Sequence, residues 1–166
     1  MNGMIDVDPT LAPLVIDGRV LNEMCAHALE TWPEECCGLV SGKGPGSHRS
    51  VHRCRNDMTL LHRADPIRYP RDGRAAFHMN EGDTLRACRE AELAGEQVTA
   101  VYHSHVGARA GFSELDQEFA SQEVFPFPDA DHIVIGLAQR GVRELALFRR
   151  AAGRGFVGRA IVAGAP

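Results

Sequence analysis

The pair His103 and His105, followed after seven residues by Ser113 and after two more by Asp116, restricts what this chain can fold into more than any other feature. Residues 97–102 before it are rich in β formers. In a strand the side chains at i and i+2 share one face, so both imidazoles are set to reach one ion from a strand end. Ser113 follows Gly111 and Phe112 and opens Ser-Glu-Leu-Asp-Gln-Glu-Phe-Ala, a helix start with Ser113 at the N-cap and Asp116 at the third helical position. The fold must therefore bring the end of a strand and the first turn of a helix to one point.

Ser-x-x-Asp alone is an ordinary capping box, and H-x-H alone is weak in a chain with eight histidines. Their conjunction at fixed offsets has a chance expectation of roughly one in a thousand, which favours ligation, with the capping serine also fixing where the aspartate points. Two histidines and one carboxylate leave a position open on tetrahedral zinc, the mark of a catalytic rather than a structural site. The reading is one Zn2+ per chain, held by His103, His105 and Asp116. Hydrolysis also needs a base to carry a proton from water to the leaving amine. The best candidate is Glu35, in Pro33-Glu34-Glu35-Cys36-Cys37-Gly38-Leu39-Val40-Ser41-Gly42, just ahead of an apolar strand-like run. Spacing does not separate it from the other eleven glutamates.

The arrangement Glu35-x-Cys37-Gly38-Leu39 with the later His103-Ser104-His105-x7-Ser113-x2-Asp116 resembles the full signature of the JAMM (MPN+, JAB/Mov34) zinc metallopeptidases, and the similarity extends over residues 17 to 150. The resemblance implies Glu35 as general acid/base, His103, His105 and Asp116 as zinc ligands, and Ser113 as a partner of the oxyanion. It implies an α/β chain with the MPN fold, a mixed curved β-sheet flanked by helices. It also implies hydrolysis of the peptide or isopeptide bond after the C-terminal Gly-Gly of a ubiquitin-like or sulfur-carrier protein. The segment 123–131 is too short for the large insertion of eukaryotic chain-specific members, so the small bacterial type is closer. Two readings stay open there: processing of a sulfur carrier, and deconjugation in a bacterial ubiquitin-like conjugation (defence) system with E1-like and E2-like enzymes as further partners. Non-catalytic MPN scaffolds lack some ligands, whereas this chain keeps every one. Val106 stands where many members have proline, which predicts a less rigid loop over 106–112.

At 166 residues and 44% hydrophobic, the chain reads as a single domain, 1–166, with residues 1–16 and 151–166 as peripheral termini. No segment is apolar enough for a membrane span and no n-region and h-region pair opens the chain. A net charge of −4 argues against a nucleic-acid partner, and Arg63, Arg68, Arg71 and Arg74 are interleaved with one aromatic, Tyr69. Five cysteines, an odd number with an adjacent pair, fit a cytoplasmic setting. A thiol protease built on Cys36 or Cys37 is disfavoured, because adjacent strand residues face opposite sides and free cysteine is most often a small buried hydrophobe. His27, His48, His52, His62, His78 and His132 lack ligand spacing and read as surface or hydrogen-bonded residues.

Along the chain, apolar spacing predicts a helix over 19–31 stopped by Pro33, and strands over 36–42 and 49–55. Residues 57–74 read as a long irregular segment, followed by a strand at 75–79 and a helix over 82–94. Strands at 132–138 and 143–149 are joined by the hairpin 139–142, and 156–162 adds an edge strand.

Overall fold

The computed structural model describes residues 3–139 and 141–165; Arg140 of the expected hairpin and residues 1, 2 and 166 of the termini lie outside the described residues. Helix α1 (Gly18–Thr31) starts where the Asp17 carboxylate accepts the Arg19 N–H at 2.8 Å. It buries Val20, Leu21, Met24 and Ala28 along one stripe and ends at Trp32, whose extended backbone is what the residue before Pro33 must adopt. Helix α2 covers Met58–Ala64, α3 Glu81–Leu93 and α4 Glu114–Ala120. Among the described residues no helix is long and apolar enough to cross a membrane.

Seven strands form one mixed sheet: β1 (Leu14–Asp17), β2 (Cys37–Gly42), β3 (Ser50–Cys54), β4 (Gln97–Val106), β5 (Asp131–Ala138), β6 (Gly141–Ala151) and β7 (Gly155–Gly164), in the order β1-β7-β6-β5-β4-β2-β3. The β1–β7 and β4–β5 pairs are parallel and the rest antiparallel. Helix α4 lies in the β4–β5 crossover, as a parallel pair requires. Register shifts at Val40/Ser41 and Gly136/Leu137 are bulges that bend their strands.

Strand alternation divides the core. Val40, Ala100, Tyr102, Ile133, Ile135 and Leu137 pack with the apolar stripe of α1. On the opposite parity Leu39 and Val101 pack with Ala87 of α3 and Phe125, while Val134, Ala146 and Phe148 pack with Phe112 and Phe156. This parity puts His103 and His105 on the α3/α4 side of the sheet and Ser104 on the α1 side. Two glycines are fixed by close approach. A Cβ on Gly38 would lie 2.5 Å from the Tyr102 ring, and one on Gly136 would lie 2.9 Å from the Ala110 nitrogen and 3.0 Å from the Ala108 oxygen, because the 108–110 backbone passes over it.

Three expectations are corrected. Residues 57–74 hold α2 rather than being irregular throughout; none of its residues is buried, so it lacks the apolar stripe that reveals a helix. Residues 75–79 form no strand, only a single bridge between Asn56 and Met79. The Asn56 side chain satisfies that backbone instead, donating to the Glu35 and Ala76 carbonyls at 3.1 Å each and accepting from the His78 and Met58 N–H groups at 2.9 and 3.0 Å. The termini are built into the sheet: Leu14 pairs with Ile161, and β7 lies between β1 and β6, so it is not the edge strand.

Candidate active site

Strand β4 ends beside the first turn of α4, and the side chains singled out by spacing meet there. His103 Nε2 is 3.1 Å from Asp116 Oδ1, His105 Nε2 is 3.3 Å from Asp116 Oδ2, and the two Nε2 atoms are 3.1 Å apart. All three residues are buried. Ser113 caps α4 reciprocally: its Oγ accepts from the Asp116 N–H at 3.2 Å, while its own N–H and O–H donate to Asp116 Oδ2 at 2.8 and 2.7 Å. Asp116 is thereby aimed back at the histidines.

The proton inventory of this cluster is unusual. The Arg109 carbonyl, 3.1 Å from His105 Nδ1, can only accept, so Nδ1 carries a hydrogen and Nε2 is the nitrogen turned to the cluster. His103 stacks on Phe77 at 4.7 Å between centroids, and its Nδ1 is buried without a hydrogen-bond partner. Burial pushes the Asp116 carboxyl up, but His103 and His105 outweigh this and hold it well below the usual carboxylate range. Burial lowers His105, and the hydrogen bond and charge of Asp116 overturn that and leave it above its ordinary value. Two nitrogens and a carboxylate thus converge with no lysine or arginine among the described residues paired to them. Ligands about 2.0–2.1 Å from one tetrahedral ion lie roughly 3.3 Å from each other, so the donor set and its spacing fit a small divalent cation such as zinc.

Glu35 is brought to this cluster by backbone pairing. In the β2–β4 ladder Cys37 lies opposite His103, the Ser104 N–H donates to the Cys36 carbonyl at 3.1 Å, and the Cys36 N–H donates to Ser104 Oγ at 2.8 Å. The Glu35 N–H donates to the Gly73 carbonyl at 2.7 Å. Glu35, 6% exposed, lines a cleft of about 370 Å³ shared with His105, Ser113, Asp116, Phe119, Arg68, Tyr69 and Arg71. Burial raises its pKa to about 8; His105 opposes the rise, Asp116 adds to it and Arg71 opposes it. Glu34 is committed elsewhere, its Oε1 accepting the Thr59 hydroxyl at 2.6 Å.

The loop over 106–112, expected to be less rigid for want of proline, is tied down by other means. The Gly107 N–H donates to the Leu137 carbonyl at 2.9 Å, the Ala110 N–H donates to Glu144 Oε1 at 2.9 Å, and Phe112 exchanges backbone bonds with Ile5. Ser104, Phe77, Asn56, Glu144 and the Arg109 carbonyl all shape the site and were not singled out by the sequence. Of these only Ser104, between the histidines on the opposite parity, carries a readable signal.

Neither adjacent cysteine meets the requirements of a nucleophile. Cys36 lies in the α1 core with its thiol pushed up by burial to about 12, and burial likewise holds the Cys37 thiol well above its ordinary value. Of the remaining histidines, His27 bonds the Tyr102 hydroxyl, His48 bonds Thr99 and Asp131, His52 bonds Ser41 and Glu90, and His62 bonds the Tyr69 carbonyl. His132 departs from the surface or hydrogen-bonded expectation: it is buried among the rings of Phe112, Phe125 and Phe156, and burial lowers its pKa to about 4.

The family described as prokaryotic homologs of the JAB domain matches residues 17–149. The CysO-cysteine peptidase of Mycobacterium tuberculosis is 29% identical over 140 residues, 84% of each chain. A protein of Desulfitobacterium hafniense, solved in solution, superposes with a TM-score of 0.66 at 21% identity, covering 92% of this chain and 93% of that one. A Salinibacter ruber protein does so at 0.57 and 23%, covering 90% of each. These two likenesses concern the fold alone.

Proposed function

The chain belongs to the prokaryotic homologs of the JAB domain, and from that premise we propose that it is a zinc metallopeptidase that cuts the peptide or isopeptide bond after the C-terminal Gly-Gly of a ubiquitin-like or sulfur-carrier protein. The observation that carries the reading is the convergence of His103, His105 and Asp116 beside a buried, proton-retaining Glu35. Similarity to a CysO-cysteine peptidase favours the sulfur carrier over a conjugate.

When bound, the ion supplies Lewis acidity to water and to the scissile carbonyl. His103, His105 and Asp116 hold it, with the Arg109 carbonyl fixing the His105 tautomer. Glu35 takes a proton from water as the water oxygen bonds to the glycine carbonyl carbon, and returns it to the nitrogen as the C–N bond breaks. In the metal-free chain burial keeps this carboxyl protonated at neutral pH; a divalent cation held beside it would favour the carboxylate, which takes the proton from water and, once protonated in the buried site, gives it up to the nitrogen. Ser113 borders the same cleft; its hydroxyl hydrogen, given to Asp116 Oδ2 in the metal-free chain, would turn to the developing oxyanion once a cation engages Asp116. Phe77 and Phe119, packed edge to face at 5.3 Å, give the cleft an apolar lining.

The test is elemental analysis of the purified protein together with hydrolysis of a ubiquitin-like protein extended one residue past Gly-Gly. One zinc per chain is expected, and Glu35→Gln should keep it while losing about 10²–10⁴-fold in turnover. A zinc-free active protein, or full turnover in Glu35→Gln, rejects the reading.

A further inference from the structure

The cleft is lined by two guanidinium groups that no carboxylate among the described residues occupies. Arg68 and Arg71 are exposed and line the same cleft as Glu35, His105 and Asp116. Arg53, Arg55 and Arg149 pair with carboxylates, whereas the guanidinium of Arg68 has only the Tyr69 ring, 5.3 Å away, and that of Arg71 has no ion pair or hydrogen bond among the described residues.

The segment bearing these arginines is fixed, not loose. Asp65 Oδ1 accepts the Arg68 N–H at 3.0 Å, the Asp65 carbonyl accepts the Tyr69 N–H at 2.9 Å, and the Tyr69 carbonyl meets His62 Nδ1 at 2.6 Å. Beyond Arg71, the Gly73 N–H donates to Thr59 Oγ1, itself bonded to Glu34. Arg71 is also near enough to Glu35 to oppose the rise in its pKa.

We propose that Arg68 and Arg71 bind the free α-carboxylate of a single-residue leaving group, so that this site prefers a carrier extended by one C-terminal amino acid over an isopeptide. In the last peptide bond of a chain, the nitrogen that takes the proton from Glu35 and the carboxylate are attached to the same carbon. A group that reads the carboxylate must therefore share a cleft with the group that protonates the amine, and Arg71 and Glu35 line the same one. The leaving nitrogen of an isopeptide sits at the end of a lysine side chain and brings no anion with it. Guanidinium suits the task because its planar fork pairs with both carboxylate oxygens.

This rests on the hydrolysis proposed above, and the experiment keeps the two apart. The zinc-loaded protein is given a synthetic peptide ending in Gly-Gly-Ala as the free acid, the same peptide as its C-terminal amide, and Gly-Gly joined to Nε of an end-capped lysine. We expect kcat/KM for the acid to exceed the other two by about tenfold or more, mainly through KM. Arg68→Gln with Arg71→Gln should bring the acid-to-amide ratio close to one, and Lys at both positions should restore part of it. Zinc content is read in each variant to confirm an intact site. Equal kcat/KM for acid and amide in the unaltered protein overturns the carboxylate site and leaves the peptidase standing. If no probe is cut, the peptidase reading fails, and NMR titration of Glu35→Gln with acid and amide still decides: tighter binding of the acid supports the carboxylate site, and equal affinity overturns it.

Discussion

His103, His105 and Asp116 at the C-terminal end of β4, and His48, Thr99 and Asp131 about its other half, are assembled from similar residue types at similar depth. In the second group Asp131 receives Arg149 through two bonds of 2.7 and 2.8 Å and His48 at 3.1 Å, and the other nitrogen of His48 meets the Thr99 hydroxyl at 3.1 Å. The cluster brings its own cation and its polar atoms are answered. In the first group no arginine or lysine among the described residues pairs with Asp116, the two Nε2 atoms face one another at 3.1 Å and His103 Nδ1 is left over. Burial raises both aspartates, and in both the neighbours prevail, an arginine in one case and imidazoles in the other. Buried histidine and aspartate therefore do not by themselves single out a candidate metal site; the lack of a pairing arginine sets the first group apart.

The sharpest way to break this comparison is to make the same change at both ends. Asp116→Asn should lose zinc and with it roughly 10³-fold or more of the turnover. Asp131→Asn should keep zinc but lose about 2–4 kcal/mol of stability, because Arg149 and His48 are left beside a neutral amide. Elemental analysis and denaturant unfolding measure the two, and equal zinc in both variants would erase the distinction.

The hydroxyls give a smaller contrast. Ser113→Ala should lower kcat by about 10²–10³ with KM little changed, as for loss of one oxyanion donor. Thr99→Ala, remote from the cleft, should cost about 1 kcal/mol of stability and leave kcat alone. Since the Ser113 hydroxyl also caps α4, a fall in zinc matching the fall in rate would assign its effect to the position of Asp116 instead.

The smallest effect is in pH dependence, where the two ends act with opposite sign. The Glu35 pKa is raised from 4.5 to about 8, so metal-free folded protein holds a proton that the unfolded chain releases. Its contribution is full below pH 4.5 and is lost progressively as pH rises toward 8. Asp131 is lowered, so its contribution is present above the ordinary carboxylate pKa and is lost on acidification. Metal-free Glu35→Gln should flatten only the first limb of a stability curve followed by urea unfolding, and an unchanged curve would disprove the buried proton.

The elements positioning the candidate ligands were readable because their signals are local. The β formers before His103 give β4, and Ser113 and Asp116 give the start of α4. What escaped depends on partners distant in sequence. The bonds that replace a strand at 75–79 come from one asparagine side chain some twenty residues earlier, and α2 leaves no periodic trace because it buries nothing. The parallel pairing of β1 with β7 joins the two ends of the chain, and no short window of sequence contains both. At the site the same division holds: the side chains of the candidate cluster were legible, whereas the carbonyl of Arg109 is a backbone atom that every residue possesses.

Gly136 sits beside His105 in the β4–β5 ladder, beneath the backbone of residues 108–110. Any side chain there must lift that backbone, and the Arg109 carbonyl lies within it. An imidazole deprived of that acceptor is free to move its hydrogen to the other nitrogen, the one that faces Asp116. The chemical form of His105 is thus governed from a neighbouring strand by a residue with no functional group at all, which makes the emptiness of one position in β5 as much a part of the reactive centre as the atoms that would touch a ligand.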